Sequence, residues 1–307
     1  MKKRIIILLL SLVLVLVAVG MVASVAVAGS VIGHIGDLSK TATTDQTFAV
    51  TGAPTISVQD HNGTITVTRG TENSVVVHAT KRAATDGLLA KLQVNIQQDG
   101  NRITIGTTGD TSSGFAWFGN HGMAVDYQIE APAHADLGPI TSSNGRIDVT
   151  GIAGQFDLST SNGIITARDV DGNVSAQTDN GRVSVIGGRG MLRLGSSNGI
   201  VEVQNVEATG LDLHTSNGRV SFTGSLALGS KNTVETSNGT VSIILPPESA
   251  LSVDLRSGNG SVHVNGFPVT TSGENKRNVV QGVINRSDAD LTVHTGNGSI
   301  TLARQGI

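Results

Sequence analysis

At 307 residues the chain has room for one large domain or two ordinary ones, and composition narrows the choice: 39 glycines, abundant Ser, Thr, Asn and Val, and only 3% aromatics describe short strands joined by tight turns. A formal net charge of −3 with no long run of one sign excludes the basic stripe that nucleic-acid binding needs. The absence of Cys excludes disulfides, thiolate metal sites and a Cys nucleophile.

Taken in chain order, Lys2, Lys3 and Arg4 precede an uncharged apolar run from Ile5 to Ala28, the pattern of an export signal whose positive end stays inside. As a helix this run reaches roughly 36 Å, enough to span a hydrocarbon core of about 30 Å, which favours a retained membrane anchor. Ala26-Val27-Ala28 before Gly29 also has the small-x-small form of a cleavage site, so residues 1–28 are a hydrophobic helix acting as signal peptide or N-terminal anchor. Everything beyond is expected outside the cytoplasm, facing outward from the cell membrane or secreted. Residues 29–47 read as a linker.

Over residues 48–140 period-two alternation marks irregular strands, as in Ser74-Val75-Val76-Val77-His78 and Arg102-Ile103-Thr104-Ile105, and only Ala83 to Leu92 suits a short helix. The Gly/Ser-rich segment around Phe115, Trp117 and Phe118 holds three of the eight aromatics. It reads either as a plug capping one end of the core or as a tip gripping a surface ligand, whether glycan, lipid or protein.

Residues 141–307 repeat. Asn-Gly recurs in register at Asn144, Asn162, Asn180, Asn198, Asn217, Asn238, Asn259 and Asn297, with spacings of 18, 18, 18, 19, 21, 21 and 38, the last about two units; Asn62 begins an earlier copy. Apolar residues stand four before and three and five after each Asn, as Leu158, Ile165 and Ala167 do around Asn162. Such units cannot bury their apolar faces alone and must stack. The pattern predicts an all-β fold, a β-solenoid of 18–21-residue Asn-Gly coils, in preference to a hairpin meander. Asn and Gly suit the turn because both tolerate φ > 0, and a Ser or Thr two residues earlier can bond neighbouring backbone. Asn265 to Asp290 reads as a degenerate coil carrying a long loop.

The run Val125-Asp126-Tyr127-Gln128-Ile129-Glu130-Ala131-Pro132, followed by copies of Thr-Ser-Asn-Gly-x-Ile/Val-x-Val, resembles the DUF4097 family of adhesin-like bacterial and archaeal envelope proteins, from about Phe48 to Leu302. The resemblance implies an extracytoplasmic β-solenoid with an adhesion or envelope-stress role. It carries over no catalytic residues.

No Gly-x-Ser-x-Gly, His-Glu-x-x-His, P-loop or repeat calcium motif is present, so no catalytic residue, cofactor or metal is expected and the chain reads as a non-enzyme. His214 and His294 belong to units expected far apart along the stack and read as solvated surface. Outward Asp148, Glu202 and Asp254 interspersed with Arg146, Arg182 and Arg219 read as a solubilising face. The leading expectation is a cell-surface binding module; the alternative is a self-assembling structural element, whose polymerisation the Trp117 segment and the tail from Arg304 to Ile307 would block.

Overall fold

The computed structural model describes residues 38–108 and 122–306. The apolar N-terminal run and the segment with Phe115, Trp117 and Phe118 lie outside the described residues. No helix among those described is long and apolar enough to cross a membrane.

The elements are β1 (Lys40–Ala49), β2 (Thr55–Gln59), β3 (Asn62–Arg69), β4 (Ser74–Ala83), α1 (Asp86–Lys91), β5 (Gln93–Asp99), β6 (Arg102–Thr108), β7 (Met123–Ala131), β8 (Asp136–Ser142) and β9 (Asn144–Thr150). A continuous extended stretch, β10 (Ala153–Asn217), follows, then β11 (Val220–Leu226), β12 (Lys231–Asn238), β13 (Val241–Leu245), β14 (Leu251–Asn259) and β15 (Val262–Asn265). The chain closes with β16 (Val269–Lys276), β17 (Val279–Ile284), β18 (Ala289–Asn297) and β19 (Ile300–Arg304). Apart from the six-residue α1, capped by Thr85, every described element is a strand, so the fold is all-β.

Each unit is a coil with one strand before the Asn-Gly corner and one after it. Pre-corner strands pair in parallel along one face, β8 with β10 and β10 with β12; post-corner strands pair along the other, β9 with β10 and β10 with β11. The periodic apolar residues fill the space between the two faces: Ile140, Leu158, Ala176, Leu194, Leu213 and Val234 from one side, Ile147, Ile165, Val183, Val201 and Val220 from the other, all at most 1% exposed. The result is a solenoid-like stack whose core is continuous from coil to coil.

The corners are held by two ladders. Asn162 Nδ2 donates to Asn144 Oδ1 at 3.0 Å, Asn180 to Asn162 at 2.9 Å and Asn198 to Asn180 at 3.1 Å, each over 18 residues, and the series continues through Asn217 and Asn238. Beneath it the buried hydroxyls of Thr160, Thr178 and Thr215 donate to the Gly145, Gly163 and Gly199 carbonyls of the adjacent coil. These bonds satisfy backbone oxygens that close stacking removes from water.

Glycine is needed at the corner for space. A Cβ at Gly163 would collide with the carbonyl oxygen of Gly145, one at Gly181 with that of Gly163, and one at Gly199 with that of Gly181. This corrects the φ > 0 argument for the Asn residues: the positive-φ non-glycine residues among those described are Asp169, Asn205 and Asn285, and none of the nine corner asparagines is among them. The corner is an arc of near-extended backbone in contact with the arc below it.

The order of coils in space differs from their order in sequence at both ends. Asn297 donates to Asn238, and Asn259 donates to Asn297, so the coil of β18 and β19 sits between the coils of β12–β13 and β14–β15. The 38-residue gap is therefore not two stacked units: within it β16 and β17 form an antiparallel hairpin, whose inner strand β17 pairs with the outer edge of β14. At the other end the coil of β2 and β3 lies between that of β6–β7 and that of β8–β9. There β5 closes the edge of β6, and β4 with β1 closes that of β7, all antiparallel. Residues 40–47, read as linker, are thus part of β1. The tail does not cap the stack either, because β19 has β13 on one side and β15 on the other.

Candidate functional site

Residues facing outward on the post-corner side fall into columns, because corresponding positions of successive coils lie directly above one another. Ile164 pairs with Arg146, and the Val201 N–H donates to the Arg219 carbonyl, which extends the column through Arg182 and Ile200 to read Arg146, Ile164, Arg182, Ile200, Arg219. The next outward column, two residues further along each strand, carries Asp148, Thr166, Ser184, Glu202, Ser221 and Ser242. The arginines therefore share one column, while Asp148 and Glu202 stand among short hydroxyls in the next, sorted by column but still close enough to pair with the arginines. Asp254 belongs to the pre-corner strand β14.

Where the long side chains of Arg182, Glu202 and Arg219 give way to Ser221, Thr223, Thr240, Ser242, Ser299 and Thr301, the surface sinks into a trough of about 710 Å³. Glu202 accepts from Gln204 Nε2 at 2.8 Å and lies 3.8 Å from Arg182. Arg219 makes no side-chain hydrogen bond or ion pair among the described residues. Two guanidinium groups against one carboxylate leave the trough cationic in a chain that is anionic as a whole. Its floor is a rigid parallel sheet and its walls are donors and acceptors, so it can hold a polar chain by hydrogen bonds and charge.

A second hollow of about 520 Å³ lies on the pre-corner face around the cis Gly138–Pro139 bond, with Gln155, Asn173, Met191 and Arg193 on its walls. Arg193 is already engaged by Asp212 at 3.2 Å, which makes this hollow the weaker candidate.

The structure brings together two histidines that sequence spacing separates. His214 aligns with Glu235 and Glu235 with His294, because the coil carrying His294 is inserted beside that of Glu235. All three are exposed, and the imidazole of His214 lies over the notch left by Gly195, away from Glu235. Among the described residues no three His, Asp or Glu side chains converge to hold a metal.

One titratable group escapes sequence reading. Asp60 occupies the place that Thr160 and Thr178 occupy in their coils, aligned with Thr107 on one side and Ser142 on the other, and is 3% exposed. Neither carboxyl oxygen has a hydrogen bond of good geometry, and the nearby Thr107 hydroxyl is engaged with the Tyr127 hydroxyl at 2.6 Å. Burial pushes the Asp60 carboxyl up to about 6, against the opposing pull of the Thr107 hydroxyl and the His61 N–H; burial likewise raises the Tyr127 phenol. Asp60 sits inside the stack and serves the fold rather than the surface.

Ladders, interleaved ends and a polar outer trough define an all-β repeat protein that presents its surface along the side of a stack. The chain belongs to the Toastrack DUF4097 family, which it matches over residues 54–303. It is similar to the solved structure of a candidate adhesin from Bacteroides fragilis, at 16% identity over 85% of this chain and 96% of that one, with a TM-score of 0.40. A candidate lipid-binding protein from Parabacteroides distasonis gives 12% identity, the same coverages and a TM-score of 0.39. A candidate cell-adhesion protein from Clostridium sporogenes gives 12% identity over 86% of this chain and all of that one, with a TM-score of 0.28. No curated protein is similar enough to count as a relative.

Proposed function

We propose that the protein is an extracytoplasmic binding module without catalytic activity, held at the membrane by its N-terminal apolar segment or secreted, that grips a component of a cell surface with the side of its stack. The observation that supports this reading is the trough: unpaired Arg219, loosely paired Arg182 and a hydroxyl-covered floor on a scaffold that stacking makes rigid. Acid–base chemistry needs a proton donor and acceptor facing a common substrate atom. The trough offers a single carboxylate, Glu202, already hydrogen-bonded by Gln204.

The alternative, an element that polymerises end to end by stacking coil on coil, is opposed where antiparallel strands cover the edges of β6, β7 and β14.

The test is retention of the full chain, held in detergent micelles, on isolated bacterial cell envelopes. Wild-type protein should be retained, and Ser242→Trp, which fills the trough from its floor, should not. Absence of retention, or equal retention of the variant, would overturn the reading.

A further inference from the structure

We propose that the arginine column binds a linear acidic polysaccharide bearing one carboxylate on every second sugar. The proposal rests on the reading of the post-corner face as a binding surface and assigns its ligand class.

Its basis is a period. Arg146, Arg182 and Arg219 stand on every second coil, with Ile164 and Ile200 on the coils between. Strands in a sheet lie about 4.7–4.9 Å apart, so successive arginines are spaced by about 9.5 Å along the axis. That is the reach of two linked sugar rings in an extended chain. A polymer with an acid on alternate rings meets a guanidinium at each acid, whereas a polymer acidic at every ring leaves half its carboxylates over Ile164 and Ile200.

The side chains between the arginines suit the intervening ring. Ile164 and Ile200 are half-buried and offer an apolar patch to the C–H face of a sugar. Beside Ile200 the Glu202 carboxylate and the Gln204 carboxamide offer partners to its ring hydroxyls.

The existing ion pairs do not block such a ligand. Arg146 lies 4.0 Å from Asp148 and Arg182 3.8 Å from Glu202, long separations made by half-exposed guanidiniums, and a carboxylate taking both prongs of a guanidinium makes the shorter, stronger contact. Glu202, on the same strand as Ile200, disfavours a densely charged chain, whose extra carboxylate falls beside it.

The experiment is calorimetric titration of the full chain in detergent micelles with three polymers of equal length: alternating glucuronate and N-acetylhexosamine, polyglucuronate, and uncharged dextran. The alternating polymer should bind at low salt, weaken steeply as ionic strength rises, and exceed polyglucuronate at least tenfold. The triple variant Arg146→Gln, Arg182→Gln, Arg219→Gln should lose at least tenfold in affinity with its unfolding midpoint unchanged. Equal binding of all three polymers, no binding of the alternating one, or an unaffected triple variant would each overturn the proposal. If none of the polymers binds while envelopes still retain the protein through the trough, the ligand class falls and the binding module stands.

Discussion

The carboxamide of Asn297 donates to that of Asn238, 59 residues earlier in the chain, at 2.8 Å. Through this bond and the strands on either side of it, the coil of β18 and β19 separates two coils that are neighbours in sequence. Ending the chain at Ser287 should therefore do more than fray one end. It removes the partners of β12, β13, β14 and β15 at once, exposing Val234, Leu255, Val241 and Val262. We expect the hydrogen-exchange protection of residues 231–284 to collapse together while that of residues 153–217 persists. Retained protection over 251–284 would show that the two coils can stack directly.

Corner glycines should be intolerant of a single methyl group. Gly181→Ala drives a Cβ into the Gly163 carbonyl, and relieving it requires two coils to part; the expected loss is about 2–4 kcal/mol. Gly106→Ala, which meets nothing within 4 Å, serves as the control and should change stability by less than about 0.5 kcal/mol. Urea denaturation of the two variants checks the difference.

Position in the ladder sets the cost of losing an asparagine. Asn198 donates to Asn180 and accepts from Asn217, whereas Asn259 stands at the end of the series with its bond to Asn297. With each exposed bond contributing about 0.5–1 kcal/mol net, Asn198→Ala should cost roughly twice what Asn259→Ala costs. Equal losses in thermal denaturation would show that the ladder is ornamental to stability.

Asp60 makes stability fall as pH rises. Its folded pKa of about 6 lies above the ordinary value of 3.8, so between those two pH values the folded state holds a proton that the unfolded state has released. The penalty grows through that window and is complete above about pH 6, reaching on the order of 3 kcal/mol. Asp60→Thr restores the hydroxyl found at Thr160 and Thr178. It should stabilise the protein at pH 7.5 and give no such gain near pH 3.5; the difference between variant and wild type, followed by denaturant titration across pH, isolates this group from the other carboxylates.

The coil interior was legible because the residues that build it are periodic: Leu158, Ile165 and Ala167 keep step with Asn162, and each is at most 1% exposed. Stacking order was not, because the units around Asn259 and Asn297 carry the same local pattern and nothing in either encodes which one meets Asn238. The end caps were hidden for a related reason. The alternation in β4 and β17 is that of any strand, and antiparallel pairing leaves no mark on it. On the candidate site, sequence placed Arg146 two residues from Asp148 and Arg182 among acids, which reads as mixed charge; the division into columns arises only when like positions stack. Asp60 could have been noticed as the acid two residues before a corner Asn, where the other coils carry Ser or Thr.

The 18-residue coils around Asn162, Asn180 and Asn198, set between ends that carry antiparallel strands, bear on how such chains change over evolutionary time. Duplicating a stretch such as Ala153 to Val170 in frame would present the same asparagine, hydroxyl and glycine to both neighbours and lengthen the rod by about one strand spacing, 4.7–4.9 Å. Neither terminal arrangement would need to alter. The middle is thus free to expand or contract by whole coils, and each pair of coils gained would carry the arginine register one step further along the side.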